Sequence, residues 1–106
     1  MADDVVVVKV EGRIDANSAP GMEALINAPL ERGVKKIVVD LSGVEYMSSA
    51  GLRVLLASLK KTRAMGGEMR LAGMQPFVKE VFDMTGFSRL FTVSPTAEEA
   101  VKSLSS

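Results

Sequence analysis

Short β-branched runs alternate with segments of helical periodicity along the chain, and this alternation constrains the fold more than any other feature. The first run, VVVVKVEG, is almost continuously apolar, which is typical of a buried strand, and it should end at Gly12. Further strand-like runs follow around Ile37–Val39, in EMRLAGM and in RLFTVSP, with a helix-like segment between each pair. The order predicts an α/β domain with a single small sheet, mixed or mostly parallel, of about four to five strands packed by about four helices.

The segment RIDANSAP after the first strand predicts a turn that leads into the first helix. Asn17 or Ser18 can cap the N-terminus of that helix, and Pro20 fits its first turn. Pro29 should end or kink the helix, because proline lacks a backbone donor and clashes with the preceding turn.

The second strand is expected to be short. Val34 and Ile37–Val39 supply its buried residues, it should end near Asp40, and Ser42-Gly43 favours a turn directly afterwards. The next helix should begin at Ser48-Ser49, since an apolar face at helical spacing follows. That face consists of Leu52, Leu55, Leu56 and Leu59.

Glycine and proline mark the ends of the remaining helices. Gly66-Gly67 should stop the second helix, and Pro76 and Gly86 should stand at the two ends of the third. Thr96, with Glu99 three residues later, forms a capping box for the last helix. The apolar face of that helix consists of Ala97, Ala100, Val101 and Leu104.

The amino-acid composition excludes several classes of function. Thirteen basic and thirteen acidic side chains cancel, and no polybasic segment favours nucleic acid as a partner. Cysteine and histidine are both absent, which removes disulfides, a thiol nucleophile, an imidazole base and the commonest metal ligands. No apolar stretch approaches the roughly 20 residues of a membrane span, and the acidic N-terminus is unlike a signal peptide. We therefore expect a cytoplasmic protein without membrane insertion, and a monomer by default.

Motifs for catalysis are also missing. The sequence contains no phosphate-binding glycine loop, no paired-carboxylate helix and no G-x-S-x-G elbow. We therefore expect no enzymatic activity, no catalytic residue, no cofactor and no metal site.

The strand-to-helix junction YMSSAGLRVLL is the best candidate for a functional site. Ligands and partners of α/β folds meet the carboxyl edge of the sheet, and a helix start offers unpaired N–H groups and partial positive charge that favour a phosphate. Only one of Ser48 and Ser49 can hold the N-cap position, so the other hydroxyl is displayed, and local physics does not say which. Gly51 is tolerable in the first turn and lets another backbone approach.

Three segments resemble the STAS domain family, and within it the stand-alone anti-sigma factor antagonists of bacteria. The segment KKIVVDLSGVEYMSSAGLRVLL resembles the family's strand, D-L-S-x-V turn and Met-x-Ser-x-Gly-Leu helix start. GRIDANSAP resembles its G-x-[LI]-D-x-x-[ST]-A segment, and GGEMRLAGMQPFVKEVFDMTGFSRLF is similar to its G-G strand and the following helix. The resemblance implies the STAS fold, with residues 1–106 as one STAS domain.

The resemblance also implies a phosphorylation switch. The unmodified antagonist binds an anti-sigma factor that has a histidine-kinase-like ATPase fold, and this releases a sigma factor, which is thus affected only indirectly. That anti-sigma factor is also the serine kinase, and it modifies the serine two positions before the motif's glycine, here Ser49. A serine phosphatase resets the switch. Phosphate adds about −1.5 to −2 charges at the centre of the contact and so prevents docking.

Other residues beside Ser49 are candidates for partner binding. Asp15 matches the family's aspartate in the neighbouring loop, although a turn-forming role is equally open. Arg53 lies one helical turn from Ser49. It belongs to a basic helix face that would ordinarily be exposed to solvent. The expected partner-binding residues are Asp15, Ser48, Ser49, Gly51 and Arg53.

Two features depart from the family pattern. Ser48 stands where many members carry Asp directly before the phosphorylated serine, which makes Ser48 the alternative site of modification. Little sequence precedes Val5 from which the family's usual first edge strand could form. The alternative function is a STAS scaffold or subunit in another signalling assembly or in a transporter complex.

Overall fold

A computed structural model of the protein describes residues 4–105. The elements are β1 (Val5–Ile14), α1 (Ala19–Glu31), β2 (Lys36–Met47), α2 (Ser49–Ala64), β3 (Glu68–Ala72), α3 (Pro76–Thr85), a 3₁₀ turn (Phe87–Arg89), β4 (Val93–Ser94) and α4 (Ala97–Ser105). Within these residues the strands form one sheet in the order β1-β2-β3-β4, and every neighbouring pair is parallel. The expected α/β fold with a mostly parallel sheet is therefore confirmed.

Helices cover both faces of the sheet. Neighbouring residues of a strand point to opposite faces, so Ile37 and Val39 enter a main core with α1, α2 and α3, whereas Val38 faces α4. Phe82 of α3 is fully buried in the main core. The smaller cluster beneath α4 consists of Val38, Ala72, Ala100 and Leu104.

Strand β2 is much longer than the sequence suggested. It continues through Asp40 and Ser42-Gly43 to Met47, so the prediction of a strand end near Asp40 followed by a turn is wrong. A Cβ atom on Gly43 would lie 2.8 Å from Cγ of Glu11 on β1. A larger residue at this position would require the Glu11 side chain to shift, so the glycine serves the close approach of two strands and not a turn.

Strand β1 also passes the residue at which its end was expected. It continues beyond Gly12 and takes Arg13 and Ile14 into the ladder with β2. Gly12 has a φ of +87°, and the register shifts between Lys9 and Glu11 and again between Gly12 and Arg13. Each shift leaves one extra residue on β2, as in a β-bulge, and β1 continues past Gly12 without ending. The extension carries β1 and β2 together to the edge of the sheet where the candidate site lies.

Helix α1 contains Pro29 instead of ending there. The proline is buried in the last turn, and the helix ends two residues later. The fixed φ of proline is compatible with a helix, and its missing N–H removes one backbone hydrogen bond from the last turn. At the other end, Ser18 occupies the N-cap position but its side chain makes no capping hydrogen bond, and Pro20 lies in the first turn.

The other helix ends agree with the sequence signals. Helix α2 has Ser48 at its N-cap position and ends at Ala64, shortly before Gly66-Gly67. Helix α3 ends at Thr85 and is followed by Gly86, whose φ of +80° is left-handed. Thr96 Oγ1 accepts the N–H of Glu99 at 3.2 Å, which is one half of the expected capping box.

The last strand is shorter than the segment RLFTVSP suggested. The chain forms the 3₁₀ turn after α3 and pairs with β3 only at Val93–Ser94. An additional strand before Val5 would involve residues 1–3, which lie outside the described residues. Between residues 4 and 105, no helix combines the length and the apolar character needed to cross a membrane.

Candidate functional site: the start of helix α2

Two strand-to-helix junctions are joined at the carboxyl edge of the sheet. The backbone N–H of Ser48, at the start of α2, donates to the carbonyl oxygen of Ile14 at the end of β1, at 2.8 Å. Asp15 directly follows Ile14, and Ser49 directly follows Ser48. The hydrogen bond therefore brings together the two loops in which the sequence placed Asp15 and the serine pair.

The two serines have different environments. Ser48 holds the N-cap position with an extended backbone (φ −89°, ψ 175°), and its carbonyl oxygen accepts the N–H of Leu52 at 3.1 Å. Its side chain makes no capping hydrogen bond, and its Oγ is buried without a partner among residues 4–105. Ser49 is the first residue of the helix and is exposed. The displayed hydroxyl is thus that of Ser49.

The start of α2 has the polarity that the sequence predicted. Within the described residues, no side chain caps this end of the helix. The N–H groups of its first turn, at Ser49, Ala50 and Gly51, precede the first intrahelical bond, which Leu52 donates. The partial positive charge of the helix dipole therefore lies beside the Ser49 hydroxyl.

Gly51 allows a close approach, but from within the molecule. A Cβ atom at this position would lie 2.7 Å from Sδ of Met47 and 2.8 Å from Cγ2 of Ile14, and the residue is buried. The expectation that another backbone approaches here is therefore not what the structure shows: the neighbours are two side chains of β1 and β2. Gly51 seats the first turn of α2 on the ends of the two strands.

Asp15 organises the loop beside Ser49. Its Oδ1 accepts the backbone N–H of Asn17 at 2.9 Å and that of Ser18 at 3.2 Å. In return, Ser18 Oγ accepts the N–H of Asp15 at 2.9 Å and donates to the carbonyl oxygen of Arg13 at 2.7 Å. The turn-forming role of Asp15 is thus present, and the first N–H groups before α1 have acceptors.

The same hydrogen bonds stabilise the charged form of the Asp15 carboxyl group. The N–H groups of Ser18 and Asn17, in that order of effect, lower the pKa of the carboxyl group below its ordinary value of 3.8. All of the hydrogen bonds described for this carboxylate go to Oδ1. Asp15 is half-buried and negatively charged at neutral pH, and its Oδ2 has no partner among the described residues.

Arg53 is exposed on α2 and follows Ser49 by four residues. Residues at this spacing are neighbours on a helix surface, with Cβ atoms about 5–6 Å apart. The structure therefore places Asp15, Ser49 and Arg53 around one edge of the sheet. The Ser48 hydroxyl oxygen and Gly51 are buried beneath this surface.

A row of side chains beside the serines was not identified from the sequence. The Arg13 guanidinium lies 4.5 Å from the centre of the Tyr46 ring, and Tyr46 stacks on Phe77 with ring centres 6.2 Å apart and an angle of 24°. Arg13 and Tyr46 are paired in the β1–β2 ladder, and Phe77 belongs to the first turn of α3. The signal in the sequence was weak, because the pairing of Arg13 with Tyr46 depends on the register shifts between β1 and β2.

Among residues 4–105, no group of three or more acidic side chains is arranged to hold a metal ion. The fold and the site define a small parallel α/β domain with a polar surface at the start of its second helix.

Comparisons with known proteins identify this class. The STAS domain family matches residues 1–100. A Bordetella bronchiseptica protein provisionally named the anti-sigma factor antagonist BtrV is 36% identical, over 92% of this chain and 84% of its own. The anti-sigma-B factor antagonist of Staphylococcus aureus is 30% identical, over 86% of this chain and 84% of its own. The chain therefore belongs to the STAS domain family.

A solved structure agrees with this membership. An anti-sigma factor antagonist from Mycobacterium paratuberculosis matches with a TM-score of 0.86 and 30% identity, over 95% of this chain and 86% of that one. The fold described above is thus the STAS fold that the sequence motifs predicted.

Proposed function

We propose that this protein is an anti-sigma factor antagonist, which in its unmodified form binds an anti-sigma factor. The Bordetella and Staphylococcus relatives carry this name and match over most of the chain. The observation that carries the proposal is the exposed Ser49 at the start of α2, next to Ser48, whose hydroxyl oxygen is buried. The function consists of binding and release, without catalysis by this chain.

In this scheme the anti-sigma factor has a histidine-kinase-like ATPase fold and is also the kinase that phosphorylates Ser49. Capture of the anti-sigma factor releases a sigma factor, and a serine phosphatase restores the unmodified antagonist. Asp15, Ser49 and Arg53 form the part of the surface that meets the partner. The free Oδ2 of Asp15 is suited to accept a hydrogen bond from it.

Ser49 is favoured over Ser48 as the modified residue because a kinase needs an accessible hydroxyl. The Oγ atom of Ser48 is buried. Phosphorylation of Ser48 would require the N-cap residue to leave its place, together with the hydrogen bond between its N–H and Ile14. Ser49 needs no such rearrangement.

A phosphate on Ser49 acts on binding much more than on folding. In the free protein, the unpaired N–H groups and the dipole of α2 stabilise an anion at this position by about 0.3–1 kcal/mol. In the complex, the phosphate would have to lose water and would introduce like-charge repulsion with any partner carboxylate, at a cost of several kcal/mol. Because about 1.4 kcal/mol changes affinity tenfold, phosphorylation should weaken binding at least about a hundredfold.

The proposal is tested with tagged variants expressed in the protein's own cells. Wild type, Ser49→Ala and Ser48→Ala should each retain an ATPase of histidine-kinase-like fold, and Ser49→Asp should lose it. Ser105→Asp is the matched control, because it adds the same charge at an exposed serine on α4 and should bind normally.

Two other outcomes would contradict parts of this proposal. If Ser49→Asp still bound the ATPase and only changes at Ser48 affected it, Ser48 would be the switch. If no variant retained such an ATPase but the chain stayed bound to membrane transport components or to a larger signalling assembly, the scaffold or transporter-subunit function would replace this proposal.

A further inference from the structure

We propose that Arg13, Tyr46 and Phe77 form a second contact for the same anti-sigma factor, and that this row supplies binding energy independently of the phosphorylation state. The inference rests on the proposed function, since it assigns an additional surface to the partner that meets Ser49. Tyr46 and Phe77 are the aromatic anchor on this chain, and the partner supplies an apolar side chain and a carboxylate that contact the row.

The row is a continuous stack across three elements. Arg13 comes from β1, Tyr46 from β2 and Phe77 from α3, which follows β3. The Arg13 guanidinium and the Phe77 ring both contact the Tyr46 ring. The 4.5 Å and 6.2 Å separations are typical of cation–π and offset ring stacking. Each side chain therefore holds its neighbour in place before a partner arrives.

This surface is unusual because it contains two of the few aromatic residues of the chain. The sequence has only four Phe and one Tyr. Phe82 and Phe91 are buried in the main core and Phe87 packs against it, whereas Tyr46 and Phe77 belong to neither hydrophobic cluster. The Phe77 side chain is 52% exposed. Two of the largest apolar side chains thus remain at the surface.

Such a group has the composition of an interface hot spot. Tyr and Arg are enriched among residues whose truncation costs the most binding energy, and rings that are already immobilised lose little entropy on binding. The exposed part of Phe77 suits an aliphatic or aromatic side chain. The exposed guanidinium of Arg13 suits a carboxylate.

The position of the row beside Ser49 and Asp15 indicates that the same partner contacts it. Tyr46 precedes Ser49 by three residues, so their Cα atoms are at most about 11 Å apart. Arg13 precedes Asp15 by two residues, and Ser18 Oγ donates to the Arg13 carbonyl oxygen. A specific interface covers about 800 Å² on each partner. A protein that meets Ser49 and Asp15 would therefore also cover the row.

The test measures affinity with purified proteins. The probe is the histidine-kinase-like ATPase retained in the Ser49 experiment, and the antagonist carries Ser49→Ala so that phosphorylation cannot intervene. On this background, Phe77→Ala and Tyr46→Ala should each raise the Kd at least tenfold in calorimetric titrations, and Arg13→Gln should raise it less. Far-UV circular dichroism should show unchanged folding for all three variants.

Leu25→Ala is the matched control. Leu25 is a helix residue with the same exposed fraction as Phe77, 52%, but it lies on α1 and outside the row. Its Kd should stay within twofold of the parent. If Phe77→Ala and Tyr46→Ala also stayed within twofold, the row would not be a contact and the inference would be overturned.

Failure of the inference can be told apart from failure of the proposed function. Loss of binding in Ser49→Asp, together with full binding of the row variants, would retain the switch and exclude the row. Equal binding of wild type and Ser49→Asp would contradict the switch itself. If sedimentation showed a wild-type dimer that Phe77→Ala converts to monomer, with no change in ATPase affinity, the row would join two copies of this chain and the inference would also be overturned.

Discussion

Replacing Ser48 by alanine should leave the protein as stable as before or make it more stable, although Ser48 occupies a helix N-cap position. A serine that caps a helix typically contributes about 1 kcal/mol relative to alanine. That contribution comes from a hydrogen bond between the side-chain oxygen and an N–H of the first turn. Ser48 makes no such bond, and its Oγ is buried without a partner among the described residues.

The size of the effect follows from two opposing contributions. Burial of a hydroxyl group without a hydrogen bond costs about 1–3 kcal/mol, and alanine removes that cost. The lost oxygen leaves a small void and lost dispersion contacts, which offset part of the gain. We expect Ser48→Ala to change the free energy of unfolding by about 0 to +1 kcal/mol, with a Tm increase of up to about 4 °C.

The assay is urea unfolding followed by far-UV circular dichroism, with the slope of the transition checked for constancy. Thr96→Ala is the internal reference, because Thr96 Oγ1 does accept the N–H of Glu99 at 3.2 Å. It should lose about 1 kcal/mol. If Ser48→Ala lost as much as Thr96→Ala, the Ser48 hydroxyl would be capping α2 in solution and this reasoning would be refuted.

Three further predictions concern the scaffold around the site. A Cβ atom at Gly67 would lie 2.2 Å from the carbonyl oxygen of Lys35, so Gly67→Ala should destabilise by about 3 kcal/mol in urea unfolding, whereas Gly66→Ala, with open space but a φ of +79°, should lose only about 1 kcal/mol; equal losses would contradict the clash. Phe82→Ala should lose about 3–5 kcal/mol by the same assay, because Phe82 is fully buried, and a loss below about 1 kcal/mol would contradict its place in the core. The lowered pKa of Asp15 means that its carboxylate contributes stability above the unfolded pKa of about 3.9 and that this contribution is lost as pH falls through the folded pKa. The stability difference between wild type and Asp15→Asn should accordingly shrink below about pH 4, and a difference that stayed constant down to pH 2 would contradict the lowered pKa.

The sequence predicted the fold well where local signals and tertiary packing agree. Pro76 and Gly86 stand at the two ends of α3 as expected, because proline at a helix start and a left-handed glycine just after a helix end are required by local backbone geometry. The alternation of strands and helices predicted the parallel sheet for a similar reason. Each apolar run is long enough to be recognised without its partner.

The predicted ends of β1 and β2 were wrong because glycines that suggested strand ends lie inside the paired strands. Gly12 and Gly43 have the local character of strand ends and turns, but both lie inside strands. Gly12 has a positive φ at a register shift, and Gly43 lies close to the Glu11 side chain. Neither role can be recognised until the register between β1 and β2 is known, because the same residue type satisfies both a turn and a close approach.

The candidate site was predicted at the level of the backbone but not of the side chains. The sequence identified Ser48 and Ser49 as the helix start, and the structure agrees. Which hydroxyl is displayed depends on the packing of neighbouring elements, and only the structure shows that Ser48 Oγ is buried. The contact between Tyr46 and Phe77 joins residues far apart in sequence, and no local pattern predicts it.

The most direct test of the account is phosphopeptide mapping of the protein isolated from its own cells, with the bound and unbound fractions analysed separately. We expect a single phosphate on Ser49, and we expect only the unmodified protein to co-purify with a histidine-kinase-like ATPase. Phosphate on Ser48 instead would contradict the assignment made from the burial of its hydroxyl. The absence of both phosphate and ATPase, under several growth conditions, would contradict the switch as a whole.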